Sequence, residues 1–178
     1  MNTFALEIWY DEGSICTFYT VRWVTDDNDA LSETDKFFDQ YAVIEHPLVD
    51  EAMQLLRLIT ESIGNRYGAT NDFFDRAENN AQALPPRPKQ WVSEIEELGF
   101  NFPLRLFCYR ISAHIVILFN GGIKDGPSAQ QSSNLGMKFY EAQQFAKTIE
   151  AAIRSGLIII LDEERSLQHF DGTSEIIL

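Results

Sequence analysis

The sequence is short of several things, and each shortage excludes a class of protein. Cysteine occurs only twice, at Cys16 and Cys108, both inside strand-like runs. Two thiols in apolar company leave no disulfide framework and no cysteine-based zinc site, and they fit a reducing, cytoplasmic setting. Histidine occurs three times, at His46, His114 and His169, with no ligand spacing among them, so no metal site is expected. There is no phosphate-binding glycine loop, no dinucleotide fingerprint and no nucleophile elbow, so no cofactor is expected either. No apolar run approaches the ~20 residues that cross a bilayer. The start of the chain, Asn2-Thr3 followed by a strand pattern, does not read as a signal peptide. Basic side chains are the scarcest class relative to their opposites: 14 Lys and Arg stand against 27 Asp and Glu, a net charge of −13. Such a polyanion repels phosphate at long range. Nucleic-acid contact would therefore need a local basic patch, and a basic protein partner is the competing expectation.

What is present is enough apolar material, 45% of 178 residues, to build one sizeable core. The stretch from Leu104 to Lys124 (LRLFCYRISAHIVILFNGGIK) organises the chain. Branched and aromatic residues fill 104–111 and 115–119 on either side of a short connector, which predicts an antiparallel hairpin. The second run is apolar at every position, as in a central strand with little water on either face.

The remaining elements follow in order. Residues 4–10 (FALEIWY) and 16–24 (CTFYTVRWV) flank the turn Asp11-Glu12-Gly13 and predict a second hairpin. Ser32 with Asp35 three residues later predicts a helix start, with the helix running to about Ala42. Pro47 suits the first turn of a longer helix. That helix has Leu48, Ala52, Leu55, Leu56, Ile59 and Ile63 on one face and ends at Gly64 or Gly68. Pro85, Pro86 and Pro88 force an extended connector. Residues 91–98 predict a short helix or edge strand ending at Gly99. A polar loop covers 125–136. Ala142, Phe145, Ala146, Ile149, Ala152 and Ile153 recur at helical spacing over 139–155, and Gly156 is the expected C′ residue. Residues 157–161 (LIIIL) predict a buried strand, and 175–178 a last edge strand. The acidic groups Asp26, Asp27 and Asp29, and Asp162, Glu163 and Glu164, read as solvated loops.

The few cations concentrate in one place. Arg87, Lys89, Arg105, Arg110 and Lys124 lie in or beside the central hairpin, accompanied only by Glu94, Glu96 and Glu97 before Asp125. Strand alternation puts Arg105, Phe107 and Tyr109 on one sheet face and Leu106, Cys108 and Arg110 on the other.

Three segments together carry a family resemblance: LRLFCYRI, HIVILFNGGIKDG, and the helix YEAQQFAKTIEAAI after its polar loop. From about Leu104 to Ile153 the chain resembles the RelE/HigB-type toxins, particularly the phage-derived HigB-like branch. The resemblance covers about 50 residues. It implies an α+β fold, a central antiparallel sheet with helices packed on one face. The RelE-like core would occupy 69–156 of a single domain, 1–178, with an extra N-terminal β-hairpin and helices in 1–68 and a C-terminal strand and tail in 157–178. It also implies metal-independent endoribonuclease activity on messenger RNA, commonly on the ribosome, and control by an antitoxin protein. By position, the resemblance assigns Arg105, Tyr109 and Lys124 to catalysis. Arg87, Lys89 and Arg110 would contact RNA. An arginine would stabilise the charge that develops as a 2′-hydroxyl attacks phosphorus, and a tyrosine or lysine with a lowered pKa would move a proton. Two departures stand out: the family's paired lysine is Lys124-Asp125 here, and the chain is acidic where those toxins are basic. A non-catalytic protein-interaction domain on the same scaffold is the alternative.

Overall fold

A computed structural model describes residues 2–27, 30–74, 81–88, 91–124 and 135–178. The chain is mixed α+β. Its main sheet has six strands: β1 (Phe4–Tyr10), β2 (Thr17–Trp23), β3 (Gln82–Leu84), β4 (Leu104–Ser112), β5 (Ile115–Ile123) and β8 (Ile176–Ile177). Their order across the sheet is β3-β4-β5-β2-β1-β8. The central hairpin is as expected, with β4 and β5 antiparallel around a two-residue turn at Ala113 and His114. The sheet is mostly antiparallel, but β2 and β5 run parallel, with Thr17 opposite Ile115 and Thr20 opposite Leu118. The two hairpins therefore meet in mid-sheet. A buried strand such as β5 cannot leave the backbone N–H and C=O groups of either edge unpaired, and β2 supplies the second edge.

The same property of β5 corrects the expectation that helices cover one face only. Side chains of Val116 and Leu118 go to one face and those of Ile115, Ile117 and Phe119 to the other, and all five are fully buried. Both faces consequently carry helices. On the first, Phe18, Leu104, Leu106, Cys108, Val116 and Leu118 pack against Phe37 and Tyr41 of α1 (Glu33–Tyr41) and Leu55 of α2 (Val49–Arg57). On the second, Phe4, Tyr19, Val21, Phe107, Ile117 and Phe119 pack against Ala142, Phe145, Ala146 and Ile149 of α4 (Gly136–Arg154).

Helix α1 starts as the sequence predicts, with the Asp35 N–H donating to Ser32 Oγ at 3.1 Å. α2 begins at Val49, so Pro47 lies just ahead of it rather than in its first turn. From Leu58 to Tyr67 the helix continues with π geometry. Thr60 Oγ donates to the Leu56 carbonyl at 2.9 Å, taking the acceptor that an α-helix would offer to the Thr60 N–H. The segment ends at Gly68, whose φ of 79° favours glycine. Short α3 (Ser93–Glu96) stops before Gly99, also left-handed at φ 76°.

The run 157–161 is not a buried strand of the main sheet. It forms β6 (Ile158–Leu161), which pairs only with β7 (Ser166–His169) in a separate two-stranded ribbon. Ile158 and Leu167 are covered, while Ile159 and Ile160 are 40% and 37% exposed. The final edge strand is present as expected: it is β8, which pairs with Ala5 and Leu6 of β1. Among the described residues no helix is long and apolar enough to cross a membrane.

Candidate functional site

The site begins with how β4 starts and β5 ends. Arg105 sits opposite Gly122 in the β4–β5 ladder, and Lys124 follows β5 directly. The Lys124 N–H donates to the Pro103 carbonyl at 2.7 Å, closing the sheet at this corner. The Arg105 guanidinium turns back on its own strand, with Nη1 donating to the carbonyls of Phe102 at 2.7 Å and Leu104 at 2.8 Å. Burial holds the Lys124 ammonium below its ordinary pKa, and the nearby charges of Arg105 and then Arg87 push it the same way. Arg105 and Lys124 therefore form a cationic corner, with Arg87, from a third segment, within electrostatic reach of the Lys124 ammonium. Both arginines have further interactions.

Two other expected residues are elsewhere. Tyr109 lies on the same face as Arg105 but further along β4, packed with the α4 core beside Glu150 and Arg154. Burial raises its phenol pKa, with Glu150 adding and Arg154 opposing, so it is not the lowered group that proton transfer requires. Arg110 is on the opposite face, where Nε donates to the Ala69 carbonyl. Strand alternation already separated it from Arg105. Lys89 lies outside the described residues. No set of three metal-ligating side chains converges among the described residues.

A second constellation, which sequence spacing did not reveal, gathers at the other end of the central hairpin. Ser112 Oγ donates to Asp162 Oδ1, and His114 Nδ1 lies 2.9 Å from Asp162 Oδ2. The His114 N–H donates to Ser112 Oγ at 3.1 Å. These are the residue types of a hydrolytic triad in the wrong order. A serine nucleophile gives its proton to the histidine, whereas this hydroxyl is directed at the aspartate. The bonds from Ser112 and then His114 hold the Asp162 carboxyl below its usual range. The arrangement is a latch between the β4–β5 turn and the β6–β7 ribbon. Arg165, at φ 54°, adds a second tie by donating Nη1 to the Gly13 carbonyl. The cysteines carry no chemistry here: burial pushes the Cys16 thiol up to about 12 and raises Cys108 as well.

Comparison of the chain with protein-family models, with curated proteins and with solved structures finds no match.

Proposed function

We propose that the Arg87–Arg105–Lys124 corner binds an RNA phosphodiester and that the protein is a metal-independent, toxin-like mRNA endoribonuclease. The observation that carries this reading is Lys124. Its ammonium is poised below its ordinary pKa by burial and by two guanidinium groups within electrostatic reach. A lysine so placed gives up a proton more readily than a solvated one, and the guanidinium groups supply charge for a pentavalent phosphoryl transition state. The RelE/HigB-type resemblance over about Leu104–Ile153 assigns two of the three, Arg105 and Lys124, to catalysis. An antitoxin that covers it and a ribosome that presents the message are the partners this reading implies.

The second reading, a non-catalytic interaction domain, is favoured by a different observation. Helices cover both sheet faces, and Tyr109 is packed under α4 instead of joining Arg105 and Lys124. Induced expression in a bacterial host separates the two. The nuclease reading expects slowed growth and loss of reporter mRNA, both relieved by Lys124→Gln. Lys124 is the better probe because Arg105 also satisfies two backbone carbonyls, so its removal carries a structural effect of its own. Normal growth with intact mRNA, despite folded wild-type protein in the cell, supports the interaction domain instead.

A further inference from the structure

The two edges of the main sheet are finished differently. At one edge, β3 is three residues long and runs straight into Pro85 and Pro86, which offer no N–H to a further strand. At the other, β8 covers only part of β1. Phe4 and Leu178 exchange both backbone bonds at 2.9 Å, and the ladder ends two residues further along β1, at the pair Leu6–Ile176. Hydrogen-bonded pairs alternate along an antiparallel strand. After Phe4 and Leu6, the next residue to turn its N–H and C=O outward is therefore Ile8. Among the described residues neither group has a partner. The Ile8 side chain is 54% exposed, so this stretch of edge is open to solvent.

Beside that edge lies a groove of about 620 Å³, between β1 and the β6–β7 ribbon. Its two sides are fixed to each other, because the Tyr19 hydroxyl accepts from the Leu167 N–H at 2.9 Å. Leu6, Tyr19 and Leu167 close the bottom, and the accessible apolar surface is that of Ile8. The rim is acidic. Glu164 and Glu175 are exposed, and neither has an ion-pair partner among the described residues. Arg22, which also lines the groove, is held by Glu7 at 2.6 Å. Burial raises the Tyr19 phenol pKa, the Leu167 N–H opposes it and the Asp11 carboxylate adds to it, which brings a third acid within electrostatic reach.

We infer that the open edge of β1 at Ile8 takes up an extended segment of a basic protein partner, added to the sheet as a short strand. Main-chain bonds to the Ile8 N–H and C=O give such a segment its affinity. Its side chains alternate between the two faces of the sheet, so those beside Glu164 and Glu175 select lysine or arginine. A second copy of this chain is the other occupant that an open edge invites. Two copies paired edge to edge would bring the same acidic rims together, each on a chain of net charge −13. The inference is independent of the RNA reading, whose corner lies toward the β3–β4 edge of the sheet.

The test is amide hydrogen exchange of the full chain, read by NMR, with and without a millimolar heptapeptide in which lysine and valine alternate. In the free protein the Ile8 amide should exchange at least about tenfold faster than the Leu6 amide, which is bonded to β8. The peptide should slow Ile8 by at least about tenfold. The same peptide N-methylated at every residue keeps its charges but has no N–H to give, and it should leave Ile8 unprotected. Glu164→Lys combined with Glu175→Lys should weaken peptide binding at least about tenfold with an unchanged melt, since both changes lie on the exposed rim. An Ile8 amide that stays unprotected with the peptide overturns the inference, as does equal protection by the N-methylated peptide or full affinity in the doubly substituted protein. Protection of Ile8 that rises with protein concentration in the absence of peptide also overturns it and assigns the edge to a second copy.

Discussion

Ile117 is fully buried in mid-strand between β2 and β4 and packs under α4. Truncation to alanine removes a branched side chain from a site whose neighbours cannot collapse around it. Ile117→Ala should lose about 2–5 kcal/mol in a urea melt, and a loss below ~0.5 kcal/mol would take it out of the core. The Asp162 latch makes a different prediction, in pH. Ser112 and His114 hold its folded carboxyl below the unfolded value of ~3.9. A depressed carboxyl contributes stability that is present above the unfolded value and is lost as pH falls through the folded one. Wild-type protein should therefore be more stable than Asp162→Asn at ~pH 6, with the gap closing toward ~pH 3 as the carboxylate protonates. A gap that stays constant across that range would show that the latch holds no charge-dependent stability. At this scale the sequence was readable where local chemistry decides. The Ser32 cap, the burial of Ile117 and the alternation that separates Arg105 from Arg110 all follow from near neighbours. The Asp162–His114 contact spans 48 residues, and the Asn120–Glu141 pair spans 21 and depends on a bulge. Neither has a signal in residue spacing.

Among the elements, the helix after Pro47 is the least ordinary. Its expected inward residues Leu55 and Ile59 are fully buried, and Arg57 and Glu61 face water. The apolar spacing gave that face correctly, but the change to π geometry at Leu58 depends on Thr60 capturing a carbonyl and on tertiary contacts. The Gly64 carbonyl accepts from Ile15 N–H at 2.9 Å and Cys16 N–H at 3.0 Å, tying the π segment to the β1–β2 turn. Gly13 permits this approach, since a Cβ there would lie 2.4 Å from that carbonyl oxygen. Hydrogen exchange should protect the Leu55, Leu58 and Ile59 amides to near the global stability, with Ile15 and Cys16 opening together with them. Fast exchange at Ile15 and Cys16 beside a protected helix would contradict that tie. The run 157–161 shows the opposite limit of sequence reading. Five apolar residues in a row look the same whether they enter a sheet centre or a two-stranded ribbon. The partner, β7, decides between them.

At the scale of the whole molecule, two hairpins meet through the parallel β2–β5 pair, and helices cover both faces of the resulting sheet. That geometry places the ends of β2 and β5, the start of β4 and the start of α4 at one end, where three of the scarce cations gather. The sheet was legible in the apolar run of β5. Its second layer of helices was implicit there too, because a strand buried on both faces requires cover on both. The parallel pairing was not, since strand order across a sheet leaves no mark on either strand alone. A net charge of −13 surrounds the cationic corner. Few counterions would be released on binding RNA, so activity should fall less steeply with salt than for a basic nuclease. The most direct measurement is cleavage of a reporter mRNA by purified protein with ribosomes present and chelator added, comparing wild type with Lys124→Gln at matched thermal stability. The account predicts cleavage by the wild type and a fall of about 10²–10⁴-fold in the variant, the range for losing a positioned proton-transfer group. Intact message with the wild type, or equal cleavage by both proteins, would contradict it.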